Sequence, residues 1–269
     1  MVMNNTIQTK AVLLNMSNIH AGGGLQAAVS FISELSSMQQ GNVDFTYDII
    51  LSSAIFAELK QQAVVMGFLN IEVFDVYGLR TLFSGITKKF KAYDLVFTLF
   101  GPGYFLPSRT RHLIGFAQAW IIYPNNEFWL GLPFKQKYLL RLKFVLQAAF
   151  FKRANCLVVE LEHVKKGLIR AGIQTKENIF VVYNCISSLY FQPELWNEID
   201  FNLPKDKILI GLVSRDYPHK NIDCLPVVAR LLKQRYGLDT CFVLTLNQKE
   251  WTLRSSEFKE SVISVGAIS

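Results

Sequence analysis

The sequence predicts an α/β protein with parallel strands covered on both faces by helices. Three observations predict it. Short apolar runs alternate along the chain with segments of helical apolar spacing, which is the mark of βαβ units. The runs are nearly continuous in apolar residues rather than alternating, as strands buried on both faces must be. Hydrophobic residues make up 51% and charged residues only 18%, so a large core can be buried.

The composition excludes several classes. The chain is too apolar to be disordered. Its 16 Gly, 8 Pro and 4 Cys do not suit a collagen-like or disulfide-rich scaffold. Its 269 residues fit one large domain or two modest ones, at roughly 100–200 residues each. A mean hydropathy of +0.23 raises the question of a membrane. The longest uncharged run, Ala11 to Ser33, holds Asn15, Asn18, His20 and three glycines, and would not span a bilayer. No basic-then-apolar leader is visible at the N-terminus. Cys156, Cys185, Cys224 and Cys241 lack metal-ligand spacing and read as reduced core thiols of a cytoplasmic protein.

The elements follow in order. Ala11 to Asn15 is a strand, Gly22-Gly-Gly24 a loop, and Leu25 to Leu35 a helix. Tyr47 to Leu51 is a strand and Ala54 to Val65 a helix. Ile71 to Val76 is a strand, and Leu82 to Phe90 a weak helix. Leu95 to Phe100 and His112 to Ala117 are strands, and Phe134 to Arg153 is a long helix. Cys156 to Val159 is a strand, His163 to Ala171 a helix closed by Gly172, and Ile179 to Tyr183 a strand. Asn184 to Leu203, with Pro193 inside it, Pro204 just after it and scattered acids, reads as a linker. Then Lys207 to Val213 is a strand, Asn221 to Tyr236 a helix, Thr240 to Leu246 a strand, and Ser261 to Val265 one more. This divides the chain into a domain over 1–190 and a second unit over 191–269. A nucleotide-binding α/β domain wants about six strands, so the second unit reads as incomplete.

Three motifs carry chemistry. Gly22-Gly-Gly24 lies between a strand and a helix, where bare backbone and a helix N-terminus suit a phosphate. A tight turn explains the same residues. Ser214-Arg-Asp-Tyr-Pro-His-Lys-Asn221 lies at a strand's carboxyl end, where open α/β sheets bind ligands. There Arg215 and Lys220 supply two charges for a diphosphate. A solvated basic loop is the plainer reading. The third, Asn184 through Phe191-Gln-Pro193, is a strand end, a turn and an aromatic anchor at the junction.

In this order the motifs resemble those of the family 4 glycosyltransferases of GT-B type, two Rossmann-like domains facing a cleft. Asn184…Phe191-x-Pro193 is similar to the family's Asn-Gly-(Val/Ile)-Asp…Phe-x-Pro. Gly211-Leu-Val-Ser-Arg215…Lys220-Asn221 is similar to its Gly-x-(Leu/Val)-x-Arg…Lys-(Gly/Asn). Val164-Lys-Lys-Gly-Leu168 also matches a helix start. The resemblance implies a hexosyltransferase moving a sugar from a nucleotide-sugar with retention of configuration. It implies a saccharide acceptor, often lipid-linked, in surface polysaccharide synthesis. By position, Arg215 and Lys220 would hold the donor diphosphate as catalytic residues. Gly22, Gly23, Gly24 and Asn221 would contact substrate. No cofactor or metal is implied, and no Asp-x-Asp pair is present.

Two departures stand against the family pattern. Where many relatives place a sugar-contacting His, this chain reads Phe116-Ala-Gln118-Ala-Trp120, so Gln118 is the substitute candidate. The family's Glu-x7-Glu element lies downstream of Arg215, and the sequence reaches Ser269 without it. The expectation is a truncated enzyme, inactive alone.

From Phe128 to Val159 there is no acid, and Lys135, Lys137, Arg141, Lys143, Lys152 and Arg153 alternate with apolar residues. A basic amphipathic helix can lie on an anionic membrane, and the net charge of +7 agrees. That expectation places the protein in the cytoplasm, peripheral on the inner face of the plasma membrane, with Lys135, Lys137, Arg141 and Lys143 as contacts. A core helix with a wet basic edge is the plainer reading. Nucleic acid is not expected, because the basic residues are spread and no recognised module gathers them. His20 is read as facing the cleft or packing. His112 is read as structural, His163, Glu160 and Glu162 as belonging to a helix start, and His219 as phosphate-touching or surface. Trp120, Trp129, Trp196 and Trp251 read as packing residues. The competing readings are a non-catalytic membrane-surface fragment and a Rossmann oxidoreductase or epimerase.

Overall fold

A computed structural model describes residues 11–38, 47–67, 69–125, 129, 132–195, 201–214, 216–217 and 220–266. The chain divides into two compact units, Met1–Glu194 and Leu195–Ser269.

Unit 1 is built on a seven-stranded sheet, all parallel, in the order β3-β2-β1-β4-β5-β6-β7. The strands are β1 (Val12–Met16), β2 (Tyr47–Leu51), β3 (Asn70–Val73), β4 (Leu95–Thr98), β5 (Arg111–Gly115), β6 (Cys156–Val159) and β7 (Ile179–Val181). Its helices are α1 (Gly22–Met38), α2 (Ser53–Gln61), α3 (Ile86–Phe90), α4 (Ala119–Ile122), α5 (Phe134–Lys152) and α6 (Glu162–Arg170). Neighbouring residues of one strand point to opposite faces, and the core divides accordingly. Leu14, Met16, Ile49 and Leu51 pack against Ala28, Ile32, Ile55 and Leu59 of α1 and α2. Leu13, Ile50, Val96 and Ile114 face the other side, against Ile86 and Phe90 of α3, Phe151 of α5 and Leu168 of α6. The weak helix read at 82–90 is a 3-10 turn, Gly78–Phe83, followed by the short α3.

Two contacts fix the ends of the central strands. Asn15 is buried, donates to Thr98 Oγ1 of β4 (3.1 Å) and accepts from the Ser17 hydroxyl (2.6 Å). A buried amide is tolerable only when its polar atoms are paired in this way. Tyr93 Oη donates to Asp48 Oδ2 (2.6 Å). Burial and the Asp48 hydrogen bond push its phenol pKa up to about 12.

Unit 2 has a three-stranded parallel sheet in the order β10-β9-β8. Its elements are β8 (Ile208–Leu212), α7 (Leu225–Tyr236), β9 (Thr240–Leu244), α8 (Gln248–Thr252), α9 (Ser256–Ser261) and β10 (Val262–Ser264). The core joins Ala229, Phe242, Leu244, Phe258 and Val262. A one-turn 3-10 segment, Ile222–Cys224, precedes α7, so the helix read from Asn221 starts four residues later, with a proline in its first turn. The short helices α8 and α9 escaped the sequence reading. Asn247 caps α8 in a reciprocal capping box with Glu250, and Ser255 caps α9.

The cysteines correct one expectation. Cys241 is buried, but Cys185 and Cys224 are exposed, so the thiols are not all core residues. No helix among the described residues is long and apolar enough to cross a membrane.

Candidate active site

In a parallel sheet of order 3-2-1-4, the chain leaves β1 toward one side and β4 toward the other. The crevice outside the carboxyl ends of β1 and β4 is the natural ligand position. The loop after β1 and the loop after β4 meet there: Asn18 Nδ2 donates to the carbonyl of Phe100 (2.7 Å).

Gly22 to Gly24 stand at this crevice, but as the first turn of α1 rather than as a separate loop. Glycine is a poor helix former, so local preference placed the start later. The buried stripe of Ala28, Val29, Ile32 and Ser36 extends the helix back over it. The three glycines are not equivalent. Gly22 has φ +70°, which glycine adopts without strain. A Cβ on Gly24 would touch Ile19 and Phe100 at ordinary distance, and one on Gly23 would meet nothing within 4 Å. A tight turn therefore accounts for Gly22 and leaves Gly23 open to a ligand. The first turn carries no acid, so the positive end of the helix dipole keeps its attraction for an anion.

Gln118 lies just past β5 on the same edge, two strands from β1. It is half-buried, and its Nε2 donates to Gln147 Oε1 of α5 (3.2 Å). His20 lies between β1 and α1. Its ring stacks on Tyr77 with centroids 4.2 Å apart. Its Nε2 is 2.9 Å from the Val76 carbonyl and its Nδ1 is 3.5 Å from Asp75 Oδ1. Both nitrogens face oxygens of the segment after β3, so His20 is a packing clamp and leaves neither nitrogen for a substrate. His112 is also structural: it is buried, stacked on Phe105 and edge-on to Phe90.

In unit 2, Lys220 and Asn221 follow β8 at its carboxyl end, and both are exposed. Asn221 has φ +47° and introduces the 3-10 segment rather than α7. Arg215 and His219 lie outside the described residues, as does Trp196. The loop is pinned from β9's side. Thr245 Oγ1 accepts from the Ser214 N–H (3.1 Å). Arg254 pairs with Asp216 and with Asp223, and its guanidinium lies over the Phe258 ring (5.1 Å). Beside it a cavity of about 350 Å3 is lined by Asp223, Val227, Leu253, Arg254 and Phe258. Sequence reasoning missed Arg254, because its partners lie more than thirty residues upstream and no local pattern announces them.

The four basic residues Lys135, Lys137, Arg141 and Lys143 lie on α5. Among the described residues no three His, Cys, Asp or Glu side chains gather as a metal site would require.

No family model and no curated protein matches this chain. Solved structures do. A glycosyltransferase from Rickettsia africae ESF-5 superposes over 97% of this chain and 69% of its own, with 15% identity and a TM-score of 0.57. The UDP-N-acetylglucosamine 2-epimerase of Rickettsia bellii does so over 97% and 70%, with 13% identity and a TM-score of 0.53. The S. aureus MnaA–UDP structure matches over 97% and 70%, with 11% identity and a TM-score of 0.51. The fold of this chain is GT-B-like. At these identities the likeness concerns backbone architecture, and function must be argued from the site.

Proposed function

We propose that this chain is a glycosyltransferase that moves a hexose from a nucleotide-sugar to a saccharide acceptor. The observation that carries this reading is the open glycine turn at the β1/β4 crevice, on a fold shared with a glycosyltransferase. The first-turn N–H groups of α1 suit an anionic donor. Arg215 and Lys220 would hold the diphosphate. As the bond from the sugar's anomeric carbon to the diphosphate oxygen breaks, the leaving nucleoside diphosphate takes the electron pair. Positive charge placed on that group lowers the barrier. The acceptor hydroxyl oxygen forms the new glycosidic bond and gives up its proton to the leaving diphosphate. Arg254 would act on this step only through Asp216, by fixing the loop. UDP in a structure of the same fold favours a uridine nucleotide. Retention of configuration, a lipid-linked acceptor and a place in surface polysaccharide synthesis are carried by the family 4 resemblance.

The epimerase of the same fold supports a second reading, in which a UDP-sugar is isomerised without an acceptor. Incubation of the purified chain with UDP-hexoses and saccharide acceptors separates the two. Sugar transfer leaves UDP and a glycosylated acceptor. Epimerisation leaves an isomeric UDP-sugar and needs no acceptor. Failure of the folded chain to bind UDP would contradict both readings.

A further inference from the structure

Helix α5 buries Gln147, Phe150 and Phe151, all in its second half; nearer its start, the Arg141 guanidinium lies over the Trp129 ring (5.7 Å). Residues 134–146 nevertheless carry large apolar side chains on the outer face. Phe134, Tyr138, Leu142 and Val145 are all exposed, Phe134 by 82% and Val145 by 68%. Their spacing of four, four and three residues places them on one stripe, about 80° wide at 100° per residue. Leu139 and Leu146 extend the stripe and are also exposed. Core packing within the unit does not account for this surface, and single contiguous apolar patches of this kind mark interaction sites.

The charges select the partner. Arg141 falls at one edge of the stripe and Lys143 at the other, both exposed, with exposed Lys135 at the helix start. Lys137 is half-buried and falls on the inner side, so it does not border the stripe. No acid occurs between Phe128 and Val159. On the same side of the sheet, the 3-10 turn Gly78–Phe83 adds Phe83, 92% exposed, with Leu79 and Arg80. That turn leads into α3, whose Ile86 and Phe90 share a core cluster with Phe151 of α5. Apolar side chains flanked by cations and free of acids complement a surface of anionic headgroups over acyl chains. Lys and Arg stems can lie along the apolar stripe while their charges reach the phosphates.

We propose that the outer face of α5 over residues 134–145, with Phe134, Tyr138, Leu142 and Val145 inserted and Arg141 and Lys143 at the headgroups, is the surface by which this protein lies on an anionic bilayer. The inference does not rest on sugar transfer. A chain that transfers sugar but ignores vesicles would overturn this proposal alone.

The test is flotation of the purified chain with phosphatidylcholine vesicles, with and without phosphatidylglycerol. Binding is expected only with phosphatidylglycerol, and should weaken as salt rises. L142S/V145S changes exposed positions and should keep the parent's thermal unfolding; R141E/K143E also removes cations from the Trp129 and Phe144 rings, so its binding is compared at a temperature where unfolding shows it folded. Each should bind about tenfold or more weakly, from the loss of roughly 1 kcal/mol per basic residue or of buried apolar area. Absence of binding by the parent, or undiminished binding by R141E/K143E, would overturn the proposal. So would a concentration-dependent dimer abolished by L142S/V145S, because a second copy would then be the partner.

Discussion

At Gly115, the last residue of β5, a Cβ would collide with the carbonyl oxygen of Leu99, just past β4. Backbone cannot yield as a flexible side chain can. Gly115→Ala is therefore expected to cost about 1–3 kcal/mol or more, measured by denaturant unfolding. Gly23 is the opposite case, since added atoms there meet open space. Gly23→Asp should keep the fold and slightly stabilise α1, because an acid in the first turn suits the helix dipole by roughly 0.3–1 kcal/mol. The same charge would repel a diphosphate, so UDP affinity should fall while the melting temperature holds or rises. His112 gives a prediction in pH. Burial pushes its pKa down to about 4, and its unfolded value is about 6.5. Between these values the unfolded chain binds the extra proton. The contribution is therefore complete above about pH 6.5 and is lost as pH falls toward 4, approaching about 3 kcal/mol. His112→Phe, which keeps the stack on Phe105, should flatten that part of the stability-versus-pH curve.

At the scale of elements, the loop after β8 depends on a side chain from the α8–α9 turn. Arg254 reaches both Asp216 and Asp223, and its side chain is largely buried. Removing it leaves two carboxylates without their cation beside Lys220. Arg254→Ala is expected to weaken UDP binding about tenfold, with little effect from Arg254→Lys if charge alone matters. Equal loss in both would show that the two-pronged guanidinium geometry is required. The junction is tied similarly. Glu34 of α1 accepts from the Ser188 N–H (2.8 Å), and hydrogen bonds from Ser188 hold its carboxyl below the ordinary range. Such links explain which parts of the structure the sequence disclosed. Apolar runs within the sheet, such as Val12 to Leu14 and Leu157 to Val159, are locally distinctive and read directly as strands. Strand order, the Asn15–Thr98 bond and the Arg254 pairs join residues far apart in sequence, so no window could show them. The glycine turn was visible as composition, but the difference between Gly22 and Gly23 needed backbone geometry. The 3-10 segment after Asn221 was missed because its apolar spacing continues smoothly into α7.

At the scale of the molecule, two parallel-sheet units each present a carboxyl edge, one with a glycine-opened helix start and the other with a basic loop. The seven-stranded order of unit 1 and the β10-β9-β8 order of unit 2 both repeat the strand order of a nucleotide-binding half, in which strand three lies beyond strand two from strand one. The central claim is that these edges handle a nucleotide-sugar. Calorimetric titration of the purified chain with UDP, beside the R215A/K220A variant, tests it most directly. Saturable binding by the parent is expected, with at least a tenfold weaker affinity in the variant at unchanged stability, a difference of about 1.4 kcal/mol. Absence of UDP binding by the folded parent, or equal affinity in the variant, would contradict it.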